Sequence, residues 1–193
     1  MDIHHLLNYL DPLTPITPNF SLVLSKIVHD QTGIHKQKLL EPPLRARNLW
    51  FLKSGVVYAS IFDKAGKEVV IRLYLPYVVF TDLQSFLYDR PSTLMLRADG
   101  EVELQFISLK DFREYILPFP ETQELKNKIM LQDQLLDQQR SKLISLSDRE
   151  RFEEFAHLYP MNKVTSTIAA SFLNMSKSKY CNLKAAWNSM NKD

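Results

Sequence analysis

The residues best able to bind a charged partner lie near the end of the chain, where lysines outnumber acids. Residues 155–193 hold five lysines and one acid, a net charge of +4. The whole chain of 193 residues carries only +2, with 24 Lys and Arg against 22 Asp and Glu. Because cationic side chains release counterions when they neutralise phosphates, a basic end on a nearly neutral protein favours duplex DNA as the partner. A solvated, lysine-rich helix face is the alternative.

The sequence lacks the usual catalytic and metal-binding patterns. His4 and His5 are adjacent, whereas two histidine ligands on one helix face stand four residues apart, and no HExxH or CxxC motif accompanies them. The four glycines form no phosphate-binding loop, and Cys181 is the single cysteine. We therefore predict no catalytic residue, no metal site and no cofactor. Cys181 is expected to be a buried or half-buried small hydrophobe, the alternative being a thiol switch.

The same residues bear on the location of the protein. A single thiol cannot form an internal disulfide, which favours a reducing compartment. No apolar run approaches the roughly 18 to 20 residues needed to cross a bilayer. The first ten residues, MDIHHLLNYL, hold no Lys or Arg, unlike a secretory signal. We expect a cytoplasmic protein with no membrane partner.

Capped helices and a tight turn are predicted near the C-terminus. Ser147 and Glu150 form a Ser-x-x-Glu capping box that begins a helix ending before Pro160. Helices are then predicted at residues 166–172 and from 177 to about 190, with Asn174 between them in the left-handed conformation that the turn needs. This is the pattern of a helix-turn-helix, whose second helix enters the major groove. The candidate DNA-binding residues are Ser176, Lys177, Ser178, Lys179, Asn182 and Lys184.

One long helix is predicted from Glu121 to about Ser145, a stretch without glycine or proline. Apolar and glutamine residues repeat there at alternating spacings of four and three, the pattern of a coiled-coil seam. At 1.5 Å per residue the helix is about 37 Å long, more than a small domain needs for its own packing. We expect it to form a homodimer interface; the alternative is a monomer in which it lies on the β domain. The candidate interface residues are Leu125, Ile129, Gln132, Leu136, Gln139 and Leu143.

The middle of the chain, residues 36–108, has short runs of Val, Ile, Leu, Phe and Tyr separated by turn residues at spacings of about ten, which indicates an all-β region. One hairpin is predicted with arms 55–62 and 67–74, and another with arms 92–98 and 101–107 across an Asp-Gly turn. In the second hairpin Leu104 alternates with Glu103 and Gln105, which we expect on the solvated face. Prolines within the first 30 residues predict short helices that cap this region.

These segments predict an α+β chain in three parts. Residues 1–120 form the β domain with its N-terminal helices, residues 121–146 the dimerisation helix, and residues 147–193 the helix-turn-helix domain. The element types follow from the switch in hydrophobic period from two to 3.6 after Ser108.

Several strings resemble the cyclic-AMP receptor protein and fumarate-nitrate regulator superfamily of bacterial transcription regulators. Residues 48–55, NLWFLKSG, are similar to its "hLYfhxxG" strand and turn, and residues 63–68, DKAGKE, to its "DexGkE" hairpin. Residues 85–92, SFLYDRPS, and 164–176, VTSTIAASFLNMS, resemble segments of a Bacteroidetes-like branch. The resemblance covers roughly residues 36–190 and implies a β-roll (a double-stranded β-helix of the cyclic-nucleotide-binding kind), a dimer helix and a terminal helix-turn-helix.

The ligand pocket departs from the family pattern. The resemblance implies a Gly-Glu pair and an Arg-Ser pair around a cyclic phosphate, and this chain has Thr81-Asp82 and Pro91-Ser92 at those positions. Proline offers neither a guanidinium nor an N–H donor, so we expect cyclic AMP not to bind unless Arg90 or Arg97 turns inward. Two alternatives are left: these residues bind another small effector, or they only stabilise turns. The candidate ligand-binding residues are Asp82, Arg90, Ser92 and Thr93.

The resemblance therefore predicts a homodimeric, DNA-binding transcription regulator, with or without control by a small effector of unidentified chemistry. The family's turn glycine is replaced by Asn174 and its base-contacting arginine by Asn182, which suits adenine. The alternative is a ligand-binding or protein-interaction module whose helix-turn-helix no longer contacts DNA.

Overall fold

The computed structural model describes residues 2–190 and places strands in two antiparallel sheets. The first sheet has the order β1-β8-β3-β6 and the second the order β2-β7-β4-β5. The strands are β1 (His29–Gly33), β2 (Lys38–Leu40), β3 (Asn48–Ser54), β4 (Val57–Phe62), β5 (Glu68–Tyr74), β6 (Val78–Phe80), β7 (Met95–Ala98) and β8 (Val102–Ser108).

Helices precede and follow the strands in sequence, and one short helix lies between β6 and β7. They are α1 (His4–Leu10), α2 (Pro18–Ile27), α3 (Leu83–Tyr88), α4 (Leu109–Asp111, continued by a π-helical turn at Phe112–Ile116), α5 (Pro120–Ser145), α6 (Asp148–Leu158), α7 (Ser166–Phe172) and α8 (Lys177–Met190). The predicted fold class, an α+β chain with a β-roll, a long helix and a helical C-terminal domain, is confirmed. No helix within residues 2–190 has the length and apolar character needed to cross a membrane.

The first predicted hairpin is present as β4 and β5. Its strands pair antiparallel from Val57 and Tyr74 at one end to Phe62 and Glu68 at the other. The Asp63 carboxylate accepts hydrogen bonds from the backbone N–H of Lys67 at 2.9 Å and of Ala65, which closes the turn. The turn residues and the strand sequences on either side of them favour the same hairpin, so the local sequence determines this part of the structure.

The second predicted hairpin is wrong. β7 pairs with β2 and β4, whereas β8 pairs with β1 and β3, so the two segments belong to different sheets. The Asp-Gly turn joins them across the roll, with Gly100 at φ 104°. The alternation of apolar and polar residues along β8 is equally compatible with pairing to β3. The short spacing between β7 and β8 also does not distinguish a hairpin from a connection between two facing sheets.

Gln105 also differs from its expected position on the wet face, since it is 1% exposed. Its amide donates to the backbone oxygen of Asp2 at 2.7 Å and to the Asp30 carboxylate at 3.1 Å. These two acceptors satisfy the NH₂ group of the buried amide. At Gln105 the N-terminal segment therefore covers the face of β8 that was expected to be solvated. Glu103, on the same face, is exposed as predicted.

Two apolar clusters organise the chain. The larger one joins the inner faces of both sheets to α1, α2 and the first turns of α5, and includes Phe20, Leu52, Leu104 and Ile129. The second joins the outer side of the roll to the C-terminal helices, bringing Val56, Tyr58, Val70 and Leu73 against residues of α6 to α8. The C-terminal helices therefore pack directly on the roll, and α5 contributes to both clusters.

Candidate nucleic-acid interface and ligand cleft

The predicted helix-turn-helix corresponds to α7, a tight turn and α8. Asn174 has φ 51°, the left-handed conformation predicted for it. The turn is closed by hydrogen bonds from the backbone N–H of Met175 to the Ala170 oxygen and of Asn174 to the Ser171 oxygen. The Ser176 hydroxyl accepts from the N–H of Lys179 at 3.2 Å, so it caps α8 as the sequence indicates.

The packing behind α8 determines which of its faces is presented to solvent. Tyr180 is fully buried, and its ring lies edge-on to that of Phe152, with centroids 5.5 Å apart. Arg151 of α6 donates to the backbone oxygens of Leu173 and Leu146, both at 2.8 Å. These contacts fix α8 against α6 and α7, so the side chains opposite Tyr180 project outward.

Most of the predicted DNA-binding residues lie at the exposed start of α8. Ser176, Lys177, Ser178 and Asn182 are exposed. Lys179 is also exposed but forms an ion pair with Asp148 of α6, and this hydrogen bond lowers the pKa of the Asp148 carboxyl. Lys177, also in the first turn of α8, is exposed.

Lys184 is the member of the predicted set that is turned inward. Its ammonium donates to the backbone oxygen of Met161 at 2.9 Å and the residue is half-buried. Lys184 stands four residues after Tyr180 and therefore lies on the same face of α8, the face that packs against the neighbouring helices. Lys184 therefore connects α8 to the loop after α6 in this conformation.

Cys181 is exposed, contrary to the expectation that it would be buried or half-buried. Since Tyr180 occupies the core position, its neighbour necessarily lies on another side of the helix. The exposed surface of α8 also includes Ala185 and Ser189, which share the helical face of Ser178 and Asn182. Sequence reasoning missed these small residues because they carry no charge, although their spacing of three and four could have identified the face.

The predicted ligand residues line or adjoin a cleft of about 800 Å³ between the roll and α5. Asp82 is 7% exposed and its carboxylate accepts from the backbone N–H of Ser85 at 3.1 Å and from the Ser92 hydroxyl at 2.6 Å. It therefore caps α3 and ties down the loop that follows. Ser92 is itself buried, so the two residues are occupied with each other, while Thr93 is exposed at the rim.

Of the two arginines that could replace the missing phosphate contact, one lies at the rim of the cleft and the other lies outside it. Arg90 is exposed at the rim of the cleft, with its guanidinium 5.9 Å from the centre of the Tyr88 ring. Arg97, on β7, forms an ion pair of 2.9 Å with Glu68 on β5. This pair lies outside the cleft lining.

An unpredicted ion-pair network occupies the cleft. Arg72 of β5 donates to both carboxylate oxygens of Asp137, from Nε at 2.7 Å and from Nη2 at 2.6 Å. Its Nη1 lies 2.8 Å from Asp133 Oδ2. Burial raises the pKa of the Asp133 carboxyl to about 6, against the opposing effect of Arg72. We refer to these three residues as the Arg72 network.

The predicted dimer seam faces this chain rather than solvent. Leu125, Ile129 and Leu143 are at most 9% exposed and belong to the two apolar clusters, and Leu136 packs against the larger one. Gln132 accepts from the Tyr9 hydroxyl at 2.5 Å and Gln139 from the Tyr159 hydroxyl at 3.3 Å. The heptad spacing identifies the apolar face of α5 correctly, but that face covers the roll and α6, the arrangement of the monomer alternative.

A different face of α5 is open to solvent and apolar. Leu131 and Leu135 are 54% and 51% exposed and lie one turn apart. They are flanked by the exposed residues Asn127, Gln134 and Gln138. Single exposed leucines are common on protein surfaces. Here two of them lie next to each other on one long helix and form an exposed apolar surface on α5 that could contact a partner.

Metal ligation is not supported within the described part of the chain. Among residues 2–190, no group of three His, Cys, Asp or Glu side chains is arranged to hold a metal ion.

The fold is similar to that of several solved proteins. FixK2 from Bradyrhizobium japonicum superposes with a TM-score of 0.73 at 8% identity, over 85% of this chain and 86% of that protein. The c-di-GMP responsive global regulator CLP from Xanthomonas campestris gives 0.67 at 15% identity, over 88% and 91%. The catabolite activator protein from Thermus thermophilus gives 0.56 at 15% identity, over 94% and 87%. No family model and no curated protein matches the sequence. At these identities the similarity establishes the fold.

Proposed function

We propose that this chain is a DNA-binding transcriptional regulator of the cyclic-AMP receptor protein and fumarate-nitrate regulator superfamily, with no catalytic role. The observation that carries the proposal is the outward-facing first half of α8, held from behind by Tyr180. The names of similarly folded proteins support it, since they include a global regulator that links cell-cell signalling to virulence gene expression and a catabolite activator protein.

The chemistry of the exposed α8 residues suits a major groove. Asn182 can form a bidentate hydrogen bond with the N6 and N7 positions of adenine, whereas Lys177 and Ser178 can contact phosphates at the entry of the helix. The modest number of cations suggests a moderate dependence of affinity on salt. Lys184 is left out of the contact set, because its ammonium is bonded to the Met161 backbone.

Two copies of the chain are required to read a two-fold operator. We propose that they pair through Leu131 and Leu135, the exposed leucines of α5, in place of the buried seam. Such pairing would bury apolar area along the helix and place two α8 helices on one duplex. Half-sites about 34 Å apart, one helical turn, are the spacing that major-groove binding requires.

Fluorescence anisotropy with duplex DNA from the chain's own promoter region tests the function. We expect binding that weakens as the salt concentration rises and that an unrelated duplex displaces poorly. Equal displacement by any duplex, or no binding at low salt, would contradict the proposal and favour a module that has lost its DNA contacts.

A further inference from the structure

The cleft between the roll and α5 already contains charged groups that satisfy one another. Arg72 is 12% exposed and Asp133 19% exposed, so the pair lies mostly away from solvent, whereas Asp137 is half exposed. Asp133 and Asp137 stand four residues apart on α5 and therefore lie on one face of it. One guanidinium on β5 thus holds two carboxylates on α5.

The charges of the cleft disfavour an anionic ligand. Its lining includes the carboxylates of Asp82, Asp133 and Asp137 against the guanidinium groups of Arg72 and Arg90. Arg72 directs its Nε, Nη1 and Nη2 at the two aspartates of α5, and Arg90 is exposed at the rim. A phosphate entering the cleft would meet carboxylates and a guanidinium that is already neutralised.

The Arg72 network is better suited to fixing geometry than to adding stability. The pKa of Asp133 is raised by burial even with Arg72 beside it, so keeping this carboxylate ionised in the cleft is unfavourable. Buried ion pairs often contribute little net stability, and their bidentate geometry specifies position instead. The distances here, 2.6 to 2.8 Å, are those of a well-formed charged hydrogen-bond network.

The same two elements also contact the helix-turn-helix. The backbone N–H of Val70, on β5, donates to the Ser171 hydroxyl on α7 at 3.0 Å. Arg140, on α5, donates to the backbone oxygen of Phe172 at 3.1 Å. A change in how α5 lies on β5 therefore reaches these two contacts with α7, the helix that precedes the proposed DNA-reading helix.

We propose that Arg72 is a positioning residue that takes the place of an effector: its ion pairs with Asp133 and Asp137 hold α5 against β5 without any bound ligand, so that DNA binding requires no anionic effector. The DNA part of this inference rests on the proposed function, whereas the positioning of α5 does not.

Hydrogen exchange measured by mass spectrometry tests the positioning. In Arg72→Met we expect the amides around residues 130–140 to exchange roughly ten-fold faster, since both ion pairs are lost. Asp137→Asn, at a half-exposed site that carries little risk to folding, should show a smaller increase in the same segment. The matched control is Arg149→Met, which removes an exposed pair with Glu153 and should leave the exchange of α5 unchanged. Unchanged exchange of α5 in both Arg72→Met and Asp137→Asn would overturn the proposal.

Charge reversal and ligand addition complete the test. Arg72→Asp should loosen α5, and the double variant Arg72→Asp with Asp137→Arg should restore much of its protection. DNA affinity of the wild type should be the same without ligand and with millimolar cyclic AMP or inorganic phosphate. A gain of ten-fold or more with either anion would overturn effector independence. If the wild type binds no DNA at all, the exchange results still decide the role of Arg72, and the proposed function alone fails.

Discussion

The carboxylate of Asp99, directly after β7, accepts a hydrogen bond from the backbone N–H of Thr165 at 2.8 Å. Thr165 is the N-cap residue of α7, and the side chain of Asp99 is fully buried. A carboxylate from the roll thus interacts favourably with the positive end of a helix in the helix-turn-helix. Together with the bond between Val70 and Ser171, it sets the position of α7 on the roll.

Replacing Asp99 by alanine should loosen this attachment. We expect Asp99→Ala to lower the free energy of unfolding by about 1 to 3 kcal/mol, the usual cost of losing a charged, buried hydrogen bond. Urea unfolding measures it, with Glu103→Ala on the exposed side of β8 as the control. Equal stability of the two variants would show that the hydrogen bond of Asp99 does not stabilise the attachment of α7 to the roll.

The exposed start of α8 should determine DNA affinity. Asn182→Ala is expected to reduce discrimination at one base pair by about 1 to 3 kcal/mol, whereas Lys177→Ala should weaken binding to all duplexes and reduce the salt slope by about one. Anisotropy titrations at several salt concentrations provide both quantities. Lys26→Ala, an exposed lysine on α2, is the matched control. If Lys26→Ala has the same effect as Lys177→Ala, the contact is nonspecific.

The open face of α5 should carry self-association. Introducing charge with the double variant Leu131→Glu and Leu135→Glu is expected to convert dimers to monomers while retaining the fold, because both side chains are half exposed. Light scattering gives the mass and circular dichroism the helix content. Leu22→Glu, at a leucine of the same 54% exposure on α2, should stay dimeric. A double variant that remains dimeric would place the interface elsewhere.

Asp133 should make stability depend on pH in a definite direction. Its pKa is raised from 3.8 to about 6, so the folded state binds the proton more tightly than the unfolded state does. Its contribution is therefore full below about pH 4 and is lost as the pH rises through 6. The stability of the wild type relative to Asp133→Asn should fall by roughly 2 kcal/mol between pH 4 and 7. Urea unfolding at several pH values measures this difference, and a constant or rising difference contradicts it.

The fold was largely predictable because its local signals agree. The capping serine and glutamate of α6, the left-handed Asn174 and the β4–β5 turn each specify one conformation through nearby residues. The pairing of β8 was not predictable, because the choice between β7 and β3 depends on contacts distant in sequence.

The candidate sites divide in the same way. Exposure of Lys177 and Asn182 followed from the helix-turn-helix pattern, but the inward direction of Lys184 depends on the Met161 backbone oxygen, a partner 23 residues away. The heptad of α5 shows which face is apolar but not what covers it. Arg72 belongs to no recognisable sequence motif. Its ion pairs depend on the packing of β5 against α5, which the sequence does not predict.

Selection of duplexes from a random pool by the purified full chain tests the central claim most directly. A dimeric reader predicts enrichment of an inverted repeat whose half-sites are centred about 10 to 10.5 base pairs apart, with an adenine at the position that Asn182 contacts. Enrichment should disappear in the Lys177→Ala, Asn182→Ala double variant. A wild-type chain that returns a pool no different from the starting one would contradict the account.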